Sequence, residues 1–130
     1  MGPIHPDALL GIQAFNLRDY FNAHEHLETA WRDEKGAVRD LYRGILQVGL
    51  AYYHVLRGNY AGAVKMFERS QLWLAPFPAV YRGIDVDSLR SNALRAEDEL
   101  LHLGAERMAA FNISLMKPLV FATATKDGDG

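Results

Sequence analysis

Apolar residues recur along most of the chain at the roughly 3.6-residue spacing of an amphipathic helix, interrupted at a few Gly- and Pro-containing points. In the segment from Leu17 to Trp31, residues Leu17, Tyr20, Phe21, His24, Leu27, Glu28 and Trp31 fall within about 120° of one another at about 100° per residue. Arg18, Asp19, Asn22, His26, Thr29 and Asp33 lie opposite. The spacing predicts a helix that runs to about Glu34 and stops at Gly36. Ahead of it, Pro3 and Pro6 make an extended lead-in, and Asp7 is placed to cap a short helix over Ala8, Leu9, Ile12 and Phe15.

From Val38 to Arg57 the pattern predicts a helix that is apolar nearly all round in its second half, as expected of a helix at the centre of a bundle. Gly58 then supplies a helix stop and Asn59 a helix start, with Tyr60 to Leu74 as the next helix. So short a link makes the two neighbours antiparallel. Pro76, Pro78 and Gly83 make 75–85 a loop, with Phe77, Val80 and Tyr81 folding back onto the bundle. A last helix is predicted over 86–112, with Leu89, Ala93, Ala96, Leu100 and Leu103 in register and Gly104 as a break. The fold class is therefore all-α: a compact bundle of about five helices built from antiparallel helix hairpins. A single domain is expected over 1–120, with 121–130 as a mobile tail.

Composition narrows the function classes. At 130 residues the chain can bury a core without disulfides or a structural metal. Fourteen Lys and Arg stand against 16 Asp and Glu, a formal charge of −2, and the basic residues are scattered. A nucleic-acid footprint and a basic membrane patch are both disfavoured. The absence of cysteine rules out thiolate ligands and fits a cytoplasmic protein. No apolar run is long enough to span a bilayer, and no signal peptide is apparent.

Two polar anomalies remain. His24 and Glu28 fall in the predicted apolar stripe, and Gln47 and His54 lie on one face of the central helix, in line with Arg43. Polar groups in such positions must be paired, hydrogen-bonded or bound to something, because leaving them unsatisfied costs about 2 kcal/mol or more. Phe15-Asn16, Tyr20-Phe21-x-x-His24-Glu25-x-x-Glu28-x-x-Trp31, Gly44-x-x-Gln47, His54 and Gly58-Asn59-x-x-Gly62-Ala63 together resemble the family catalogued as domain of unknown function 309. The resemblance covers about Phe15 to Leu74 and implies a small all-helical domain with no settled activity. Tyr42-Arg43 before Gly44 depart from the apolar residues usual there in the family.

Four roles for the anomalies compete. The first is a satisfied polar network, with Glu28 accepting from Trp31, Gln47, Arg43 or a protonated histidine. The second is a metal site for Zn, Mn or Fe, in which His24 and Glu28 at i, i+4 join His54 from the next helix and leave a position open for hydrolytic water. The spacing is His-Glu-x-x-Glu, not the His-Glu-x-x-His of zinc proteases. The third is metal-free acid–base catalysis by His24 and Glu28. In either chemical reading Gln47, Arg43, Asn59, Trp31 and Glu25 are the candidate ligand-binding residues around a buried pocket, with Glu25 as base or supporting partner.

The fourth role is a non-catalytic interaction scaffold. Asp19-Tyr20-x-x-Ala23 recurs as Asn59-Tyr60-x-x-Ala63, and Gly49, Tyr52, Gly58, Ala63, Phe67 and Pro76 resemble a tetratricopeptide repeat, though without a full second copy. A partner peptide or a second copy of the chain would then sit in a helix-hairpin groove, helped by a patch of Tyr52, Tyr53, Trp73, Phe77 and Tyr81.

Overall fold

The computed structural model describes residues 3–122. Five α-helices follow in order: α1 (Pro6–Asn16), α2 (Tyr20–Asp33), α3 (Val38–Leu56), α4 (Tyr60–Leu74) and α5 (Val86–Leu103). Between α4 and α5 lies a small antiparallel hairpin of β1 (Val80–Tyr81) and β2 (Ile84–Asp85), and two 3-10 turns, Ala105–Ala110 and Ile113–Leu115, follow α5. The protein is an all-α bundle.

α3 is the centre, packed against both α2 and α4. Its first half buries Val38, Leu41, Tyr42, Ile45 and Val48, and its second half Ala51, Tyr52 and Val55. Behind it, Phe15, Tyr20, Tyr52 and Phe67 from four different helices meet edge-on, with ring centroids 5.4 to 5.9 Å apart. Such tilted contacts place positive ring edges on negative faces, adding to the burial itself. α3 approaches α4 closely because Gly44 has no side chain: a Cβ there would lie 2.5 Å from Leu74 Cδ2. Gly58 turns the chain between these helices with φ of +74°, a conformation that disfavours any residue with a Cβ. Asn59 then accepts the Gly62 N–H at 2.9 Å and starts α4.

Several expectations need correction. His5, not Asp7, caps α1: its Nδ1 accepts the Asp7 N–H at 3.0 Å, with Pro6 in the first turn. The inner face of α2 is Tyr20, Ala23, Leu27 and Ala30, so it is rotated away from the predicted stripe. Leu17 is 81% exposed and Phe21 51%, which leaves His24, Glu28 and Trp31 at the edge of the buried face, not in its middle. The cause is alanine: small residues carry this face because α1 comes near enough for a Cβ on Gly11 to lie 3.2 Å from the Ala23 carbonyl oxygen. Tyr52 and Phe77 are core residues, so the expected aromatic surface patch is not assembled from them.

The last helix stops at Leu103, because Gly104 takes φ of +74° and the chain continues in 3-10 turns. The loop after α4 contains the β-hairpin, and Arg90 on α5 donates to the carbonyls of Leu74 at 2.8 Å and Phe77 at 2.7 Å, satisfying the end of α4. Past the last turn, Asn16 exchanges hydrogen bonds with the Leu119 backbone, and Ala122 N–H donates to Gly83 at 2.7 Å. Of the tail expected over 121–130, Phe121 bridges to Ile84, and 123–130 lie outside the described residues.

Candidate functional site

Residues Arg43, Gln47, Leu50 and His54 recur every three or four positions along α3, so they share the helix face left between α2 and α4. α2 contributes His24, Glu28 and Trp31 by the same periodicity, and α4 contributes Arg69 and Trp73. At one end the three helices converge on a single stack. The Arg43 guanidinium lies 4.5 Å from the Trp31 ring centroid and 4.2 Å from that of Trp73. Arg39 adds a second cation over Trp31 at 5.3 Å and donates from Nε to the Trp31 carbonyl at 3.3 Å. Indoles hold a weakly hydrated guanidinium well, so the stack fixes Arg43 without neutralising it.

Beside the stack opens a groove of about 450 Å³ lined by Arg43, Gln47, Arg69, Leu72 and Trp73. Gln47 forms its floor and is only 9% exposed, and its Oε1 is buried without a hydrogen-bond partner among the described residues. Neither Arg43 nor Arg69 pairs with a carboxylate among the described residues. The groove therefore combines two arginines that have no carboxylate partner among the described residues with the Gln47 side chain, whose unpaired Oε1 is sealed beneath it. Trp31 Nε1 and His24 Nδ1 are likewise buried and unpartnered.

The expected residues separate into groups. His24 and Glu28 do come together, Nε2 to Oε1 at 3.9 Å, but Glu28 also takes Arg32 at 3.3 Å. Arg43, Gln47 and Trp31 meet at the stack and groove. His54 sits at the other end of α3, with its Nδ1 3.3 Å from the Asn59 side-chain amide. Burial, and secondarily Arg57, holds the His54 pKa below its ordinary value. Glu25 is exposed on the outer side of α2. Among the described residues, the donor atoms of His24, Glu28 and His54 do not converge within 4.8 Å of one another.

A different set does converge. His5, Asp7 and Asp33 place one donor atom each within 4.8 Å of the others, with His5 Nε2 3.3 Å from Asp33 Oδ2. His26 Nδ1 extends the cluster, 3.5 Å from Asp7 Oδ1. The helical period puts His26 and Asp33 on the outer face of their helix, and His5 lies in the Pro3–Pro6 lead-in. His26 and Asp33 are seven positions apart, hence on one face, and that spacing beside His5-x-Asp7 was the available signal. Arg69 is absent from the sequence candidates and Trp73 enters them only through the expected aromatic patch, although their i, i+4 spacing puts both on one face of α4.

Fold and site together define an α-helical hairpin module with an open groove between α3 and α4, beside a stack to which α2 adds Trp31. The resemblance drawn from the sequence holds: the model of the family described as "Domain of unknown function (DUF309)" matches residues 9–66, from within α1 into α4. An uncharacterized protein of Aquifex aeolicus (strain VF5) is 29% identical over 79 residues, covering 60% of this chain and 24% of the relative. Uncharacterized protein YpuF of Bacillus subtilis (strain 168) is 41% identical over 54 residues, covering 41% of this chain and 31% of the relative. The matched stretch is thus under a third of either relative's own length. The family match contains Arg43, Gln47 and Trp31, and ends before Arg69, Leu72 and Trp73 on α4. Among the described residues, no helix is long and apolar enough to cross a membrane.

Proposed function

We propose that this chain is a ligand-binding module whose site is the groove over α3, with Gln47 as its floor and Arg43, Arg69 and Trp73 as its walls. The carrying observation is the Gln47 carbonyl oxygen, buried and unpaired among the described residues. A buried acceptor without a donor costs about 1 to 3 kcal/mol. A fold gains nothing from keeping it, whereas a site whose Gln47 side chain turns outward to meet a donor-bearing ligand does. The neighbouring groove, at about 450 Å³, falls in the size range of small-ligand pockets, roughly 300 to 1,000 Å³.

Replacing Gln47 separates the two uses of a buried amide without requiring the ligand's identity. Gln47→Leu keeps the side chain's bulk and removes the unpaired oxygen. The variant is expected to unfold at higher denaturant concentration than the parent, by about 1 kcal/mol or more, since an apolar side chain suits this position better when nothing is bound. A loss of stability instead would mean that Gln47 belongs to a structural hydrogen-bond network, and the binding reading would fall.

A further inference from the structure

We infer that His5, Asp7, His26 and Asp33 form a closed, four-ligand Zn²⁺ site that fastens the lead-in and the start of α1 to α2. The site lies apart from the groove and does not depend on it. One donor atom each from His5, Asp7 and Asp33 already lies within 4.8 Å of the others. Carboxylates from two helices therefore converge, yet neither Asp7 nor Asp33 has a Lys or Arg within 4.0 Å among the described residues. The side chains they meet are the imidazoles of His5 and His26. A neutral imidazole leaves two like charges facing each other, whereas a divalent cation between them offsets both.

The spacing also suits the ion. Donor atoms bound tetrahedrally at about 2.0 to 2.2 Å stand about 3.3 to 3.6 Å from one another. His5 Nε2 lies 3.3 Å from Asp33 Oδ2, and His26 Nδ1 lies 3.5 Å from Asp7 Oδ1. Two imidazole nitrogens with two carboxylate oxygens favour Zn²⁺ over Mg²⁺ and Ca²⁺, which take oxygen ligands in larger number. Four protein ligands leave no position for a reacting water, so the ion would hold structure and not hydrolyse a substrate. The backbone places His5 in advance: its N–H donates to the Tyr42 hydroxyl at 2.9 Å, and Arg82 donates to the Pro3 carbonyl at 3.3 Å. The Asp33 side chain is 58% exposed against 18% for His5, so the ion has an entry on the Asp33 side.

Tag-free full-length protein would be titrated with Co²⁺, Zn²⁺ and Mg²⁺, each alone. Saturable uptake of one equivalent of Co²⁺ is expected, with the strong visible absorption of a tetrahedral ion, which six-coordinate Co²⁺ in water lacks. Zn²⁺ should displace the Co²⁺ and Mg²⁺ should not. His26→Ala removes a half-exposed side chain outside the core, and should weaken Co²⁺ binding by about tenfold or more, as loss of even an outer partner does. His54→Gln, at the far end of α3, should keep the parent spectrum. Uptake of neither Co²⁺ nor Zn²⁺ would leave the four side chains as ion pairs and overturn the inference. A six-coordinate Co²⁺ spectrum, displacement by Mg²⁺, or unchanged affinity in His26→Ala would overturn it as well.

Discussion

His54 and Asn59 are joined through the turn that links α3 to α4: the Asn59 side-chain amide donates to His54 Nδ1 at 3.3 Å. The same Asn59 side chain accepts the Gly62 N–H through Oδ1, so one residue serves the end of one helix and the start of the next. The arrangement needs a neutral His54 with a lone pair on Nδ1. Burial and the nearby Arg57 favour that neutral form and lower the folded-state pKa below 6.5. The unfolded chain thus binds the proton more readily, and stability present above about pH 6.5 is lost as pH falls through that value toward the lowered one. Denaturant unfolding followed between about pH 8 and pH 5 should show this decline, and His54→Gln should flatten it. Asn59→Ala should cost about 1 kcal/mol through the lost cap of α4.

Glu97 carries the opposite sign. It is buried on α5 and accepts from Gln71 Nε2 on α4 at 2.5 Å. Burial raises its pKa, a shift partly offset by the Gln71 hydrogen bond. A carboxyl group with a raised folded pKa binds its proton more tightly in the fold, so its contribution improves as pH falls through that raised value and is complete below the ordinary 4.5. Glu97→Gln should therefore stabilise the protein most at neutral pH and progressively less in acid. A difference curve between parent and variant that does not vary with pH would show that the carboxyl is not held away from its ordinary value.

Gly44 sets how closely α3 and α4 can pack, since a Cβ would meet Leu74 at 2.5 and 2.7 Å. Leu74 is itself buried and cannot simply swing outward. Gly44→Ala is expected to destabilise the fold by about 1 to 3 kcal/mol, despite the better helix propensity of alanine. Because Trp73 Cβ lies 3.5 Å from the same point, the variant should also shift tryptophan emission. Unchanged stability and emission would show that the helices can separate at little cost.

The helices were legible in the sequence because long apolar repeats and the Gly58-Asn59 link leave few alternatives. α4 has the bounds its pattern predicts, Tyr60–Leu74. The rotation of α2 was not legible, because it depends on which alanines face a glycine on another helix, and Ala23 looks neutral until Gly11 is placed beside it. The β-hairpin escaped because two-residue strands have no period to detect. Of the site, Arg43, Gln47 and Trp31 could be singled out as polar or aromatic residues on the inner helices. Trp73 and Arg69 become partners only when that face of α4 is turned toward Arg43, a rotation that the antiparallel Gly58-Asn59 link does not fix.

The His5 cluster decides where a divalent cation would go. The expected ligand set of His24, Glu28 and His54 is not brought within 4.8 Å, whereas His5, Asp7 and Asp33 are. Zn²⁺ added to tag-free protein is therefore expected to meet the His5 cluster, where small side-chain movements reach the metal–ligand distances of about 2.0 to 2.2 Å. Occupancy has a structural consequence. His5 Nδ1 accepts the Asp7 N–H, so the ring proton lies on Nε2, facing Asp33 at 3.3 Å. A metal on Nε2 needs that proton moved to Nδ1, which removes the α1 cap and turns Nδ1 toward Asp7 Oδ2, 4.0 Å away. Calorimetric titration should then give heat that is lost in Asp33→Asn and kept in Glu28→Gln, with faster hydrogen exchange at the Asp7 amide when metal is present. Glu28→Gln should itself be mild, under about 1 kcal/mol, since the Glu28 pairs are partly solvated. Heat abolished by Glu28→Gln and kept in Asp33→Asn would move the cation to the α2–α3 seam and reverse this assignment.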